Sequence, residues 1–142
     1  MAGFITEAGA SYLMGMVGGR LPTVPNYYVA LTTRIPSPQE YWDEIGEVVS
    51  DSYDRSIIPA EAGFWELSGV AVSNQMELSF PLATESWGDI WGWALLDDPL
   101  RGNVLFGGHL ATAWTVEEGW QAVIGAGMIS FALPVSNWGV EQ

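Results

Sequence analysis

The sequence predicts a mainly β protein, an antiparallel β-sandwich of jelly-roll-like form preceded by one short N-terminal α-helix. Three observations predict it. The segment Trp87–Leu110, WGDIWGWALLDDPLRGNVLFGGHL, reads as two apolar strands about a turn of Asp97, Asp98, Pro99, Leu100, Arg101, Gly102 and Asn103. The other apolar runs are strand-length, with Gly and Pro between them. Strand and helix patterns do not alternate, which argues against a parallel α/β sheet. At 142 residues the chain is one domain. It divides into a helix with its connector over residues 1–25 and a sandwich over 26–142.

The elements follow in order. Phe4, Ile5, Ala8, Tyr12, Leu13, Met16 and Val17 recur at helical spacing, so a helix is predicted over Phe4–Val17. Thr6 and Glu7 suit the positive end of its dipole, and Gly18-Gly19 ends it. Asn26–Thr33 is rich in Tyr, Val and Thr and reads as a strand. An acidic loop with Pro36 and Pro38 follows, then a strand over Tyr53–Ile58 closed by Pro59. Phe64–Leu67 and Val70–Val72 are short pieces, and Asn74-Gln75 marks a turn. Met76–Phe80 alternates apolar and polar residues, as a half-buried strand does. Beyond the tryptophan-rich hairpin come Ala113–Val116, Trp120–Ile124 and Met128–Leu133.

Composition removes several functions. The chain has 17 acidic residues against four cationic ones, a formal net charge of −13. The four are Arg20, Arg34, Arg55 and Arg101, with no lysine, which is too few and too scattered to neutralise a phosphate backbone. No nucleic-acid partner is expected. Cysteine is absent, and with it disulfides and thiolate sites. Glu7 stands where a secretory leader would be cationic. Residues 119–140 carry no charge, but Gln121, Pro134, Asn137 and several glycines break the apolar run, so strands are expected there and no membrane span.

A run of short motifs carries a family resemblance. After the N-terminal helix come Tyr28-Val29-Ala30-Leu31-Thr32 and a Tyr-x-Arg step at Tyr53 and Arg55. Asn74 leads to Phe80, Pro81, Ala83 and Thr84. Trp87-Gly88 opens a strand ending at Asp97, and Gly102, Asn103, Leu105, Gly108 and Leu110 follow in order. In this order the pieces resemble small tailed-bacteriophage virion proteins usually labelled phage tail fibre proteins. The chain departs from that pattern in its acidic 36–51 stretch, where a Gly-rich loop is usual, and in its extra tryptophans. The resemblance implies a non-enzymatic virion structural protein, foremost a tail-associated fibre or adhesin module. The alternatives are a capsid decoration (cement) protein and, ranked lower, a small polysaccharide-cleaving tail enzyme. It also implies partners: the chain itself as a homotrimer, other virion proteins of the tail or the major capsid lattice, and a host surface glycan or receptor. Tyr53, Arg55, Pro81, Trp87, Gly88, Asp97, Gly102, Asn103 and Gly108 are then structural positions of the family.

No catalytic, cofactor or metal residue is assigned. His109 is the one histidine, and no serine or acid lies at a motif spacing from it. The pairs Asp97-Asp98 and Glu117-Glu118 lie in turns, where solvated acids are ordinary. Asp43, Glu44, Glu47, Asp51 and Asp54 are dense, but they lack calcium-loop spacing and read as a solvated loop. Strict alternation places Trp91 and Trp93 on one face of their strand, with Ile90, Gly92 and Ala94 on the other. The glycine there invites a close approach. Most of these rings are expected in the core. Trp42, Asp43, Glu44 and Glu47 are the expected partner contacts, and Phe4, Tyr12 and Met16 the expected oligomer or anchor contacts.

Overall fold

A computed structural model describes residues 3–11, 26–59, 65–68 and 71–132. Among the described residues ten strands follow one another: β1 (Gly3–Ile5), β2 (Asn26–Thr32), β3 (Ser56–Pro59), β4 (Trp65–Ser68), β5 (Ala71–Asn74), β6 (Leu78–Leu82), β7 (Gly88–Leu96), β8 (Val104–Val116), β9 (Gln121–Ile124) and β10 (Ser130–Ala132). The protein is mainly β, and every described strand pair is antiparallel. Five strands form one sheet in the order β1-β8-β7-β2-β3. A second sheet runs β10-β5-β4, and β6 pairs with β9.

The N-terminus corrects the sequence reading. Phe4 and Ile5 are not helical; they pair with Gly107 and Phe106 at the edge of β8. Helix begins at residue 7 and is described through residue 11. Thr6 makes the change of direction. Its hydroxyl donates to the Val104 carbonyl and accepts the Gly9 N–H at 2.9 Å, which caps the first turn. Tyr12, Leu13, Met16, Val17 and the Gly18-Gly19 stop lie outside the described residues.

The ladder between β7 and β8 breaks twice. Ile90 faces Trp114 and Gly92 faces His109, so Trp91 alone stands opposite residues 110–113. This corrects the strict alternation expected of the strand. Ile90 and Trp93 share one core and are fully buried, whereas Trp91 is displaced outward and 45% exposed. Leu105 is the extra residue at the second break. The expected separate strand at Ala113–Val116 is the continuation of β8 past the first break. Between β6 and β9 the irregularity falls at Phe80-Pro81, a position that tolerates a residue without an N–H.

Both faces of the five-stranded sheet are covered. On one, Val29, Leu31, Ile58, Ile90, Trp93 and Leu95 pack with Leu78 and Phe80 of β6 and Ala122 and Ile124 of β9. On the other, Ala30, Ala94, Leu96 and Val104 pack with Ile45 and Trp42 of the 33–48 loop. The glycine in the tryptophan strand is explained by this second cover. A Cβ on Gly92 would stand 2.7 Å from the Pro36 ring. On β8, Gly107 receives the Phe4 ring and Gly108 receives Trp93; any side chain there would occupy the space of an aromatic.

Candidate functional site

The acidic loop and the β7–β8 turn meet at one end of the five-stranded sheet, and Arg55 joins them. Its side chain is buried, and all five N–H donors are used. Nε and Nη2 donate to the two Glu47 carboxylate oxygens at 2.8 and 2.9 Å, a bidentate pair. Nη1 donates to the carbonyls of Asp98 and Arg101 at 2.7 and 2.8 Å, and Nη2 reaches that of Leu100 at 3.1 Å. Tyr53, two residues earlier, gives its hydroxyl proton to Glu47 at 2.7 Å and accepts the Leu31 N–H at 3.0 Å. The Tyr-x-Arg step is thus a fastening around one carboxylate. Burial first, then the adjacent Glu47 charge, hold the Tyr53 phenol well above its ordinary pKa.

The turn is built by its own residues. Asp97 accepts the Asn103 backbone and side-chain amides at 2.7 and 3.1 Å. Gly102 has φ of +85°, the left-handed region that favours glycine. Asp98 accepts the N–H groups of Leu100 and Arg101 at 2.9 and 2.8 Å. The backbone N–H groups of Arg101 and Leu100 hold its carboxyl below the ordinary value. Arg101 lies 5.8 Å over the Trp42 ring, which links turn and loop a second time.

The other motif positions are also tied down. The Trp87 indole donates to Ser52 Oγ at 3.0 Å and meets Tyr53 edge-on at 5.4 Å. Gly88 has φ of +82° where β7 begins. Asn74 is buried; its amide donates to the carbonyls of Met76 and Gly125 and accepts the Ile129 N–H, which staples β5 to the β9–β10 turn. Neither Ser52 nor Asn74 stood out as a bonded centre in the sequence, since a serine or asparagine beside a turn looks solvated.

The expected contact residues are placed unequally. Asp43 and Glu44 are exposed. Trp42 is half-buried against the second core and beneath Arg101, and Glu47 is committed to Arg55 and Tyr53. Phe4 is held in the sheet on Gly107. Tyr12 and Met16 lie outside the described residues. His109 is exposed, with Nδ1 beside the Leu110 carbonyl at 3.1 Å. Both Asp97 and Asp98 are occupied as turn acceptors. Among the described residues no three His, Asp or Glu side chains gather at metal-binding range, and no helix is long and apolar enough to cross a membrane.

Beside this end runs a groove of about 650 Å³, walled by residues 5–11, by 38–41 and by 102–104. Val104 is its buried base, and Tyr41 at its rim is 71% exposed. Composition gave no sign of it, because its walls come from three distant segments.

A family model matches residues 5–132 and is described as podophage GP4 fiber I protein gp80. The chain belongs to this family. It is a bacteriophage fibre protein, a structural tail-fibre component of the virion. Of the two virion roles that the motifs left open, the match supports the fibre over the capsid decoration protein. No curated protein matches the chain.

Proposed function

We propose that this fibre protein is a rigid, non-enzymatic module whose sheets pack as a β-sandwich in the jelly-roll manner. The end built from the 33–48 loop and the 97–103 turn is turned to the host surface. The observation that carries this reading is Arg55, which spends every donor on fastening those two irregular segments together. Such fastening holds a loop end in one shape, as display requires. The core shared by the five-stranded sheet and the β6–β9 pair supports the sandwich. The commitment of Asp97 and Asp98 to the turn supports a non-enzymatic role, because neither is free to move protons.

Attachment is to further copies, as a homotrimer, and to other tail proteins, through the N-terminal segment 1–25 with Tyr12 and Met16, since Phe4 is spent on the sheet at Gly107. Asp43 and Glu44 are the exposed acids of the displayed end. Cryo-electron microscopy of the intact particle tests the arrangement. The expected map has three copies at each fibre position, with residues 40–44 and 98–101 outermost. Those residues buried against the tail would overturn the display reading, and reducing-end release from host polysaccharide would overturn the non-enzymatic one.

A further inference from the structure

We propose that the outer face of the β6–β9 pair docks another virion protein, one that brings an apolar patch bordered by lysine or arginine. Three observations carry it: an apolar stripe, an unguarded edge and an acidic border.

The stripe follows from strand parity. β6 and β9 turn Leu78, Phe80, Ala122 and Ile124 into the core, so Ser79, Gln121 and Val123 face outward. The irregularity at Phe80-Pro81 shifts the register, and Leu82 comes to stand opposite Gln121 on the outer side. Gly125 has the parity of Val123, and Met128 fills the place of its missing side chain, with the sulfur 3.3 Å from where a Cβ would stand. Trp120 is held beside Leu82, because its carbonyl accepts the Ala83 N–H. Leu82 is 56% exposed and Trp120 52%, and Val123 and Met128 are open as well. Apolar groups gathered on one exposed face mark a contact site.

The edge is unguarded too. Among the described strands β9 has β6 as its single neighbour, and Gln121-Ala122-Val123-Ile124 carries neither charge nor proline. Charge and proline are the usual defences of an open edge.

The border selects the partner. Glu77 precedes β6, Glu85 follows it, and Glu117 and Glu118 precede β9; all four are exposed. No described arginine stands among them. Arg34 is paired with Glu40, Arg55 is buried, and Arg101 lies over Trp42, past the far end of β7. A second copy, at −13, would set the same acids against these four. A basic border opposite them attracts and fixes the register. The stripe and the 33–48 loop cover opposite faces of the five-stranded sheet, so a partner on the one leaves the other open.

Carbodiimide cross-linking of intact particles, read by mass spectrometry, tests this, because the chain has no lysine. Any glutamate-to-lysine link from it ends on another protein. We expect Glu77, Glu85, Glu117 or Glu118 to be joined to lysines of one other virion protein. Val123→Arg should cut the copies per particle at least tenfold, measured against the capsid protein, and Trp120→Ser should do the same. Val49→Arg, at a residue 95% exposed and outside the stripe, should change nothing. Purified Val123→Arg should melt as the wild type does, which separates lost docking from lost folding. Links from these acids to the N-terminal amine of a second copy, full occupancy by both stripe variants, or equal loss with Val49→Arg would each overturn the proposal. Links confined to Asp43 and Glu44 would overturn it and refute the display reading as well.

Discussion

The two faces of the five-stranded sheet are covered by different means. One is covered by strands: Leu78, Phe80, Ala122 and Ile124 meet Trp93 and Leu31 through apolar contact. The other is covered by a loop whose apolar contribution is Pro36, Trp42 and Ile45, and which is fastened by Glu47 to Arg55. The first face needs side chains of suitable volume and tolerates exchange among them. The second needs particular atoms, because a loop with so little apolar surface does not repay its own ordering entropy without directional bonds. A fibre module gains from this division, since its body resists unfolding while its loop end keeps one shape.

The largest effects should separate the two faces. Trp93→Ala and Arg55→Ala are each expected to cost about 3–5 kcal/mol, the first by leaving a cavity and the second by leaving a half-buried carboxylate unpaired. They should differ in repair. Pairing Arg55→Met with Glu47→Leu should recover at least half of the loss, read from urea midpoints in a double-mutant cycle. No second polar change should rescue Trp93→Ala.

A smaller effect sharpens the apolar side. A Cβ on Gly108 would stand 2.9 Å from the Trp93 indole nitrogen and 3.0 Å from the Gly3 backbone. Gly108→Ala is therefore expected to lose about 1–3 kcal/mol by overpacking, measured by thermal melting. Trp42→Ala should cost less, about 1 kcal/mol, because its ring is half-buried and its Arg101 contact is a single cation–π pair.

The pH dependence belongs to the polar side. Asp98 is held below its ordinary value by turn N–H groups, so the folded state releases its proton more readily than the unfolded chain. Its contribution is present above the unfolded carboxylate value, near 3.9, and is lost as pH falls through the lower folded value. Tyr53 runs the other way. Its raised phenol favours the protonated form, so its contribution is whole below about pH 10 and is lost as pH rises toward the folded value. Chemical denaturation from pH 2 to 11 should show both declines. Asp98→Asn should flatten the acid limb, and Tyr53→Phe should flatten the alkaline one.

Much of the body was legible in the sequence. The hairpin turn 97–103 fell where the spacing put it, and β2, β9 and β10 lie within or close to their predicted runs. Apolar periodicity reports which residues face a core, and that is what these strands obey. The helix start was misplaced because Phe4 and Ile5 fit a helical face and a strand edge equally well. Only the bonds of Thr6 to β8 decide between them. The Trp91–Trp93 alternation failed because a broken ladder leaves no mark in a period-two pattern. Glu47 looked like one more solvated acid, since its partner stands eight residues away and its second tie runs through Tyr53. The motif order located the bonded positions without saying what they bond. The groove was illegible, because no local pattern brings Ala8, Tyr41 and Asn103 together.

Arg55 fastens the loop end and leaves the body to its apolar core. Hydrogen exchange by mass spectrometry on Arg55→Met tests it most directly. Protection should be lost in residues 33–48 and 97–103, with β6, β9 and the 104–110 part of β8 unchanged. Protection lost evenly through the chain, or kept in both loop segments, would contradict it.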